Sequence, residues 1–203
     1  MPIMFFIYRQ RLSLLFMCSL LAACMPAITN IAPHNEQKSF QTRKMELADL
    51  NRWNINGGIA VKEGNEGFTA SMQWQQYSAS SFDIQFSGPL ATGKIKLSKK
   101  GNTTTLSDGQ HRYTSNNAET LLKKHTGHYV PVNSLFYWIR GLPSPNAPSS
   151  KVKDAYGHLK QLMQQGWIIH YERFTHFKSF DVPSKIKLLK GNAKVKLVIS
   201  KWQ

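Results

Sequence analysis

From Trp53 onward the chain alternates apolar and polar residues. A period of two sustained over so much of a sequence permits strands with one buried face and little else. Residues 53–61 (Trp-Asn-Ile-Asn-Gly-Gly-Ile-Ala-Val) alternate, residues 68–75 (Phe-Thr-Ala-Ser-Met-Gln-Trp-Gln) alternate again, and residues 81–86 repeat the pattern. Residues 94–98 read as a further strand, with turns at 64–67 and 99–102. Residues 103–106 and 111–114 flank Ser107-Asp-Gly109, a strong hairpin signal. Later strands are expected at about 155–162, 167–174, 185–189 and 195–200, separated by Gln165-Gly166 and Gly191-Asn192. One wet face on each strand implies an antiparallel meander.

Three helices interrupt or precede this pattern. Residues 42–52 suit a short amphipathic helix whose candidate buried residues are Met45, Leu47, Leu50 and Trp53. Asn116 or Asn117 is placed to cap a second helix, with Glu119 and Leu121-Leu122 following and Gly127 ending it. A third spans about 132–140 and stops at Gly141-Leu-Pro-Ser-Pro145, before a Pro/Ser loop. The expected fold is α+β: one domain over residues 42–203, a strongly curved antiparallel sheet with helices against one face.

The N-terminus sets the compartment. Arg9 and Arg11 precede an apolar run of roughly 12 residues, too short for the roughly 20 that a spanning helix needs. Residues 1–23 therefore read as a secretory signal. Its end, Leu21-Ala22-Ala23-Cys24, resembles the lipobox of bacterial lipoproteins, which implies acylation of Cys24 and loss of Cys18 with the signal. Three acyl chains would make Cys24 a lasting anchor, since two already suffice. Met25 follows where an Asp would mean retention at the inner membrane, so export to the outer membrane is implied. Residues 24–41, rich in Pro, Asn, Gln and Ser, read as a lipid-anchored tether. The 26 Lys+Arg against 11 Asp+Glu belong almost entirely to the exported part. In that compartment such an excess favours anionic lipid or an acidic protein over nucleic acid.

Motifs for catalysis are sparse. There is no Gly-x-Ser-x-Gly elbow, Walker loop or dinucleotide glycine motif. Ser150 and Lys153 fit a Ser-x-x-Lys spacing, but within the Pro/Ser loop and without companion motifs. His125 and His128 are three apart with no third ligand evident, and read as surface or helix-end residues. Lys94, Lys96, Lys99 and Lys100 form a basic run, either a solvated face or a docking surface.

The order of several segments resembles the outer-membrane lipoprotein receptor LolB family. They are residues 53–61, Ser71-Met-Gln-Trp-Gln75, Phe82-Asp-Ile-Gln-Phe-Ser-Gly-Pro-Leu90, Pro131-Val-Asn-Ser-Leu-Phe-Tyr-Trp-Ile-Arg-Gly-Leu-Pro143, Gln165-Gly-Trp167 and Leu197-Val-Ile-Ser-Lys-Trp202, behind the lipobox. The resemblance implies an incomplete, half-open antiparallel β-barrel with a lid of short α-helices over an apolar cavity. It implies a monomer in the outer membrane, facing the periplasm, that accepts triacylated lipoproteins from the periplasmic carrier LolA and inserts them into membrane lipid. It implies no enzyme activity and no cofactor. Within that frame Leu90 is the membrane-insertion residue. It sits in the turn-like loop 87–93, where an apolar side chain has little local reason to be. The family's Pro-Leu-Gly reads Pro-Leu-Ala here, which stiffens the tip. Trp74, Phe86, Ile95, Leu135, Trp138, Ile139 and Trp167 fall on inward positions and are the candidate acyl-chain lining. Arg112 is a candidate for ordering the lid. The alternative is a structural or glycolipid-binding lipoprotein on the same half-barrel, with no transfer activity.

Overall fold

The computed structural model describes residues 36–88, 93–145 and 147–203. Among them are three helices, α1 (Phe40–Ala48), α2 (Ala118–Thr126) and α3 (Val132–Trp138). Eleven strands form one sheet: β1 (Trp53–Glu63), β2 (Glu66–Ser78), β3 (Ser81–Gly88), β4 (Gly93–Lys100), β5 (Thr103–Ser107), β6 (Arg112–Ser115), β7 (Ser149–Lys153), β8 (Leu159–Gln164), β9 (Trp167–Phe177), β10 (Phe180–Lys190) and β11 (Ala193–Trp202). Their order across the sheet is β6-β5-β4-β3-β2-β1-β11-β10-β9-β8-β7, so the sheet is open, with β6 and β7 as its edges. Every pairing is antiparallel.

Alternation decides the two faces. Trp53, Ile55, Ile59 and Val61 of β1 are buried, as are Met72 and Trp74 of β2, Phe82 and Ile84 of β3, and Leu97 of β4. Across the seam, Val195, Leu197 and Ile199 of β11 and Ile186 and Leu188 of β10 continue the same surface. Trp53 packs on Trp74 at 5.3 Å and on Trp202 at 5.4 Å between ring centroids, which ties the first and last strands together. Gly57 sits at the irregularity in the β1–β11 ladder, where a Cβ would collide with the Val198 carbonyl oxygen.

The helices cover the buried face, each begun or ended by local chemistry. Asn117 Oδ1 accepts from the Thr120 amide at 2.9 Å to start α2, and Gly127 at φ 77° stops it. Glu119 then takes the Asn133 amide and side-chain NH2, joining α2 to the start of α3. Arg140 is buried just past α3. Its guanidinium donates to the Leu47 and Leu50 carbonyls at 3.3 and 3.0 Å and lies 4.1 Å over the Phe136 ring. It thereby adds a charged donor to the carbonyls at and just past the end of α1. Burial brings its pKa down from 12.5 to about 10, still charged at neutral pH. A second buried arginine, Arg43 of α1, pairs with Asp181 at 2.9 Å, and Asp181 also meets His158 at 3.0 Å and His176 at 3.2 Å.

Among the differences from expectation, four are instructive. Ser39 caps α1 through the Thr42 amide, so the helix runs 40–48 instead of 42–52, and Met45 points out, 59% exposed. The strand expected from residue 155 begins at Leu159. Asp154 Oδ1 accepts the Tyr156 and His158 amides and folds residues 154–158 into a turn. The strand expected at 185–189 is the longer β10, which accommodates Pro183 beside a register shift. Finally, the Pro/Ser segment that carries Ser150 and Lys153 is an exposed edge strand, β7, and not a loop.

Candidate functional site

A hollow of about 210 Å³ lies between α2 and the sheet. Phe68 and Ala70 of β2, Phe86 of β3, Ile95 of β4 and Leu106 of β5 form its floor, and Leu122 with Val130 forms much of its roof. Ser87, Gly88, Lys94 and Asp108 also line it, as do His125 and Thr126 of α2. Gly88 and Gly93 pair at the end of the β3–β4 ladder, and Gly88 lines the hollow.

The topology puts this hollow at one end of the sheet. The pairs Glu63–Glu66, Lys190–Ala193 and Gly88–Gly93 put the β1–β2 and β10–β11 turns at the same end as the close of the β3–β4 ladder. The chain enters the fold at the opposite end, where Lys38 lies against Gly157 ahead of strand β8. Phe68, Ala70, Phe86 and Ile95 are only partly buried although they share the inward parity of fully buried neighbours. A strand whose inward side chains run from packed core to half-covered is what a sheet bordering a void produces.

Of the residues singled out in the sequence, Phe86 and Ile95 line this hollow. Trp74, Leu135, Trp138, Ile139 and Trp167 are fully buried in the packed core and are not among its lining residues. They shape its support instead. Trp138 Nε1 donates to Gln164 Oε1 at 2.8 Å, and Trp138 lies 6.5 Å from Trp167. Gln164 in turn holds the Ser144 amide and carbonyl and the Ala147 carbonyl, so the segment after α3 is fastened to β8. Arg112 is exposed on edge strand β6, opposite Ser107, and its side chain makes no hydrogen bond or ion pair with another described residue. Cys24 and Leu90 lie outside the described residues. Sequence reasoning did not assign Phe68, Ala70, Leu106, Leu122 or Val130 to a site, and it read His125 as a surface or helix-end residue, whereas its ring lines the hollow. Strand parity with Met72 and Trp74 marks Phe68 and Ala70, and a spacing of three marks His125 with Leu122.

The two histidines weighed as a metal pair part company at Gly127. His125 stacks on Tyr113 at 3.8 Å between centroids, while His128 lies beyond the helix against Phe68 at 5.4 Å. The outer face of the sheet is basic. Lys62, Lys185, Lys187, Lys194 and Lys196 cluster on β1, β10 and β11 by register, and Lys96 projects from β4. Acids on this face are matched. Lys185 Nζ sits 2.9 Å from Glu172, and its hydrogen bond, with Lys187 and Lys196 nearby, holds that carboxyl below its usual pKa. Burial pushes Asp83 upward, but hydrogen bonds from Ser98 and Lys96 outweigh it and leave its pKa lowered.

Residues 51–202 match the family described as "Outer membrane lipoprotein LolB". An outer-membrane lipoprotein LolB from Pseudomonas aeruginosa is 32% identical over 169 residues, covering 83% of this chain and 82% of that protein. One from Nitrosococcus oceani is 33% identical over 196 residues, covering 95% and 97%. Among solved structures, a LolA-superfamily protein from Nitrosomonas europaea aligns with a TM-score of 0.50 at 12% identity, over 82% of this chain and 93% of that one. A putative outer-membrane lipoprotein-sorting protein domain from Vibrio parahaemolyticus aligns with a TM-score of 0.52 at 8% identity, over 80% and 92%. At such identities these two speak to the fold.

Proposed function

The chain belongs to the outer-membrane lipoprotein LolB family, and from that premise we propose that its domain receives triacylated lipoproteins from the periplasmic carrier LolA and passes them into the outer membrane. Its place is the outer membrane, with a role in lipoprotein localisation. In this reading the lipobox puts the anchor on Cys24, and the tether that joins it to the domain ends before Ser39, the cap of α1, short of the expected 41.

One observation carries the reading: an apolar-walled hollow under a short helix, at the end of an open sheet. Burial of a CH₂ group is worth about 0.8 kcal/mol, so an acyl chain does not cross water bare. The hollow, at about 210 Å³, is smaller than the ~300–1,000 Å³ of pockets that enclose a whole small ligand. It suits the end of a chain, with α2 displaced to admit more. Direction needs only a gradient of affinity, and a tenfold step corresponds to about 1.4 kcal/mol. The lysines of the outer face and of β4 raise the rate of encounter with an acidic carrier rim.

Leu90 is the release element in this scheme. It belongs to the β3–β4 connection, whose flanking Gly88 lines the hollow, and in this scheme its apolar side chain enters lipid ahead of the cargo. The test is transfer of a radiolabelled lipoprotein from the carrier to this protein and on to liposomes. The wild type is expected to do both. The Leu90→Glu variant is expected to take cargo up normally and to release it at least tenfold more slowly. Release at the wild-type rate removes Leu90 from the mechanism. Failure of the wild type to accept cargo overturns the function.

A further inference from the structure

Ser87, Lys94, Asp108 and Thr126 border the hollow, and one further polar group, His125, is set apart by its burial. His125 lines it from the last turn of α2, three residues on from Leu122 and so on the same face of the helix. Its Nε2 is buried and has no hydrogen-bond partner among the described residues. The ring is held against Tyr113, centroids 3.8 Å apart and planes at 30°, so it does not swing to solvent without losing that contact. A buried imidazole nitrogen without a partner carries a desolvation cost that a suitable ligand atom removes. Phe68, Phe86, Ile95 and Leu106 supply no such atom. The position therefore selects for a ligand that is hydrocarbon over most of its length and bears a hydrogen-bonding oxygen at one point.

We propose that His125 Nε2 donates a hydrogen bond to the ester carbonyl of an acyl chain lodged in the hollow. His125 is thus a specificity-determining residue: the site reads the acyl linkage and not hydrocarbon alone. A chain held at its carbonyl is also held in register, its head kept level with α2 and its tail directed along Phe86 and Ile95. This inference rests on the acyl-chain reading of the hollow and adds to it a chemical preference.

Esters and ethers of equal chain length separate the two ideas. The full chain, made with Cys24→Ala so that no lipid of its own competes, is titrated with dihexanoyl phosphatidylcholine and with its dihexyl ether analogue, both below micelle formation. The wild type is expected to bind the diester roughly tenfold more tightly, the upper range for one net hydrogen bond. His125→Phe, with an unchanged melting temperature, is expected to bind both with the weaker ether-like affinity. His125→Gln, which keeps a donor, is expected to recover part of the preference. Equal binding of ester and ether by the wild type overturns the proposal and leaves the acyl-chain reading standing. So does a preference that survives in His125→Phe. If the wild type binds neither lipid, the acyl-chain reading itself falls and takes this proposal with it.

Discussion

Tyr171 of β9 carries a phenol in the core. Its hydroxyl is buried without a partner among the described residues, and burial pushes its pKa far above the usual value of 10.0. Removing an unpaired buried hydroxyl while keeping the ring leaves packing intact. Tyr171→Phe is therefore expected to be neutral or to stabilise by up to about 1–2 kcal/mol, read as the urea midpoint. Glu172, the next residue along the strand, points the other way, to Lys185. Its folded pKa lies below the usual 4.5, so its contribution is present above that value and is lost as pH falls through the folded one. The pair is partly exposed, which keeps its worth well under about 1 kcal/mol. Lys185→Gln is expected to lower the urea midpoint slightly at pH 7, by a margin that shrinks as the pH falls below 4.5 and Glu172 takes up its proton. Inward positions such as Trp74 and Trp138 were legible because parity and helical spacing decide which way a side chain faces. Whether the inward side meets another side chain or open space was not, and Phe86 and Trp74 share a parity with opposite outcomes.

Helix α2 is the element on which the hollow depends, and it is short. A nine-residue helix draws little from propensity and much from its ends and its packed face. Asn117→Ala removes the cap and is expected to cost about 1 kcal/mol. Hydrogen exchange checks this: the amides of α2 gain the most in rate, while those of β1 and β11 stay slow. This helix, its asparagine cap and its glycine stop could be read from the sequence, because caps are local chemistry. Strand β7 could not. It is an edge strand of five residues, four of them exposed, and carries no alternation to read. The start of β8 was misplaced for a related reason: Asp154 holds the amides of Tyr156 and His158, and that side-chain turn overrides the pattern around it.

At the level of the whole molecule, the sequence could promise a curved antiparallel sheet, since every strand is joined to the next by a short turn or a helical crossing. It could not say that β1 and β11 are neighbours, because nothing local links Ile59 to Leu197. That seam makes the last ten residues of strand structure as central as the first eleven. A chain ending at Asn192 leaves the β1 and β10 faces unpaired. It is expected to lack the cooperative thermal transition and near-ultraviolet dichroism of the intact protein, whereas removal of Gln203 alone is expected to be tolerated. A seam of this kind also acts as a timer. Synthesis proceeds from the N-terminus, so β1 and β10 cannot be joined until residues 193–202 of β11 have been made.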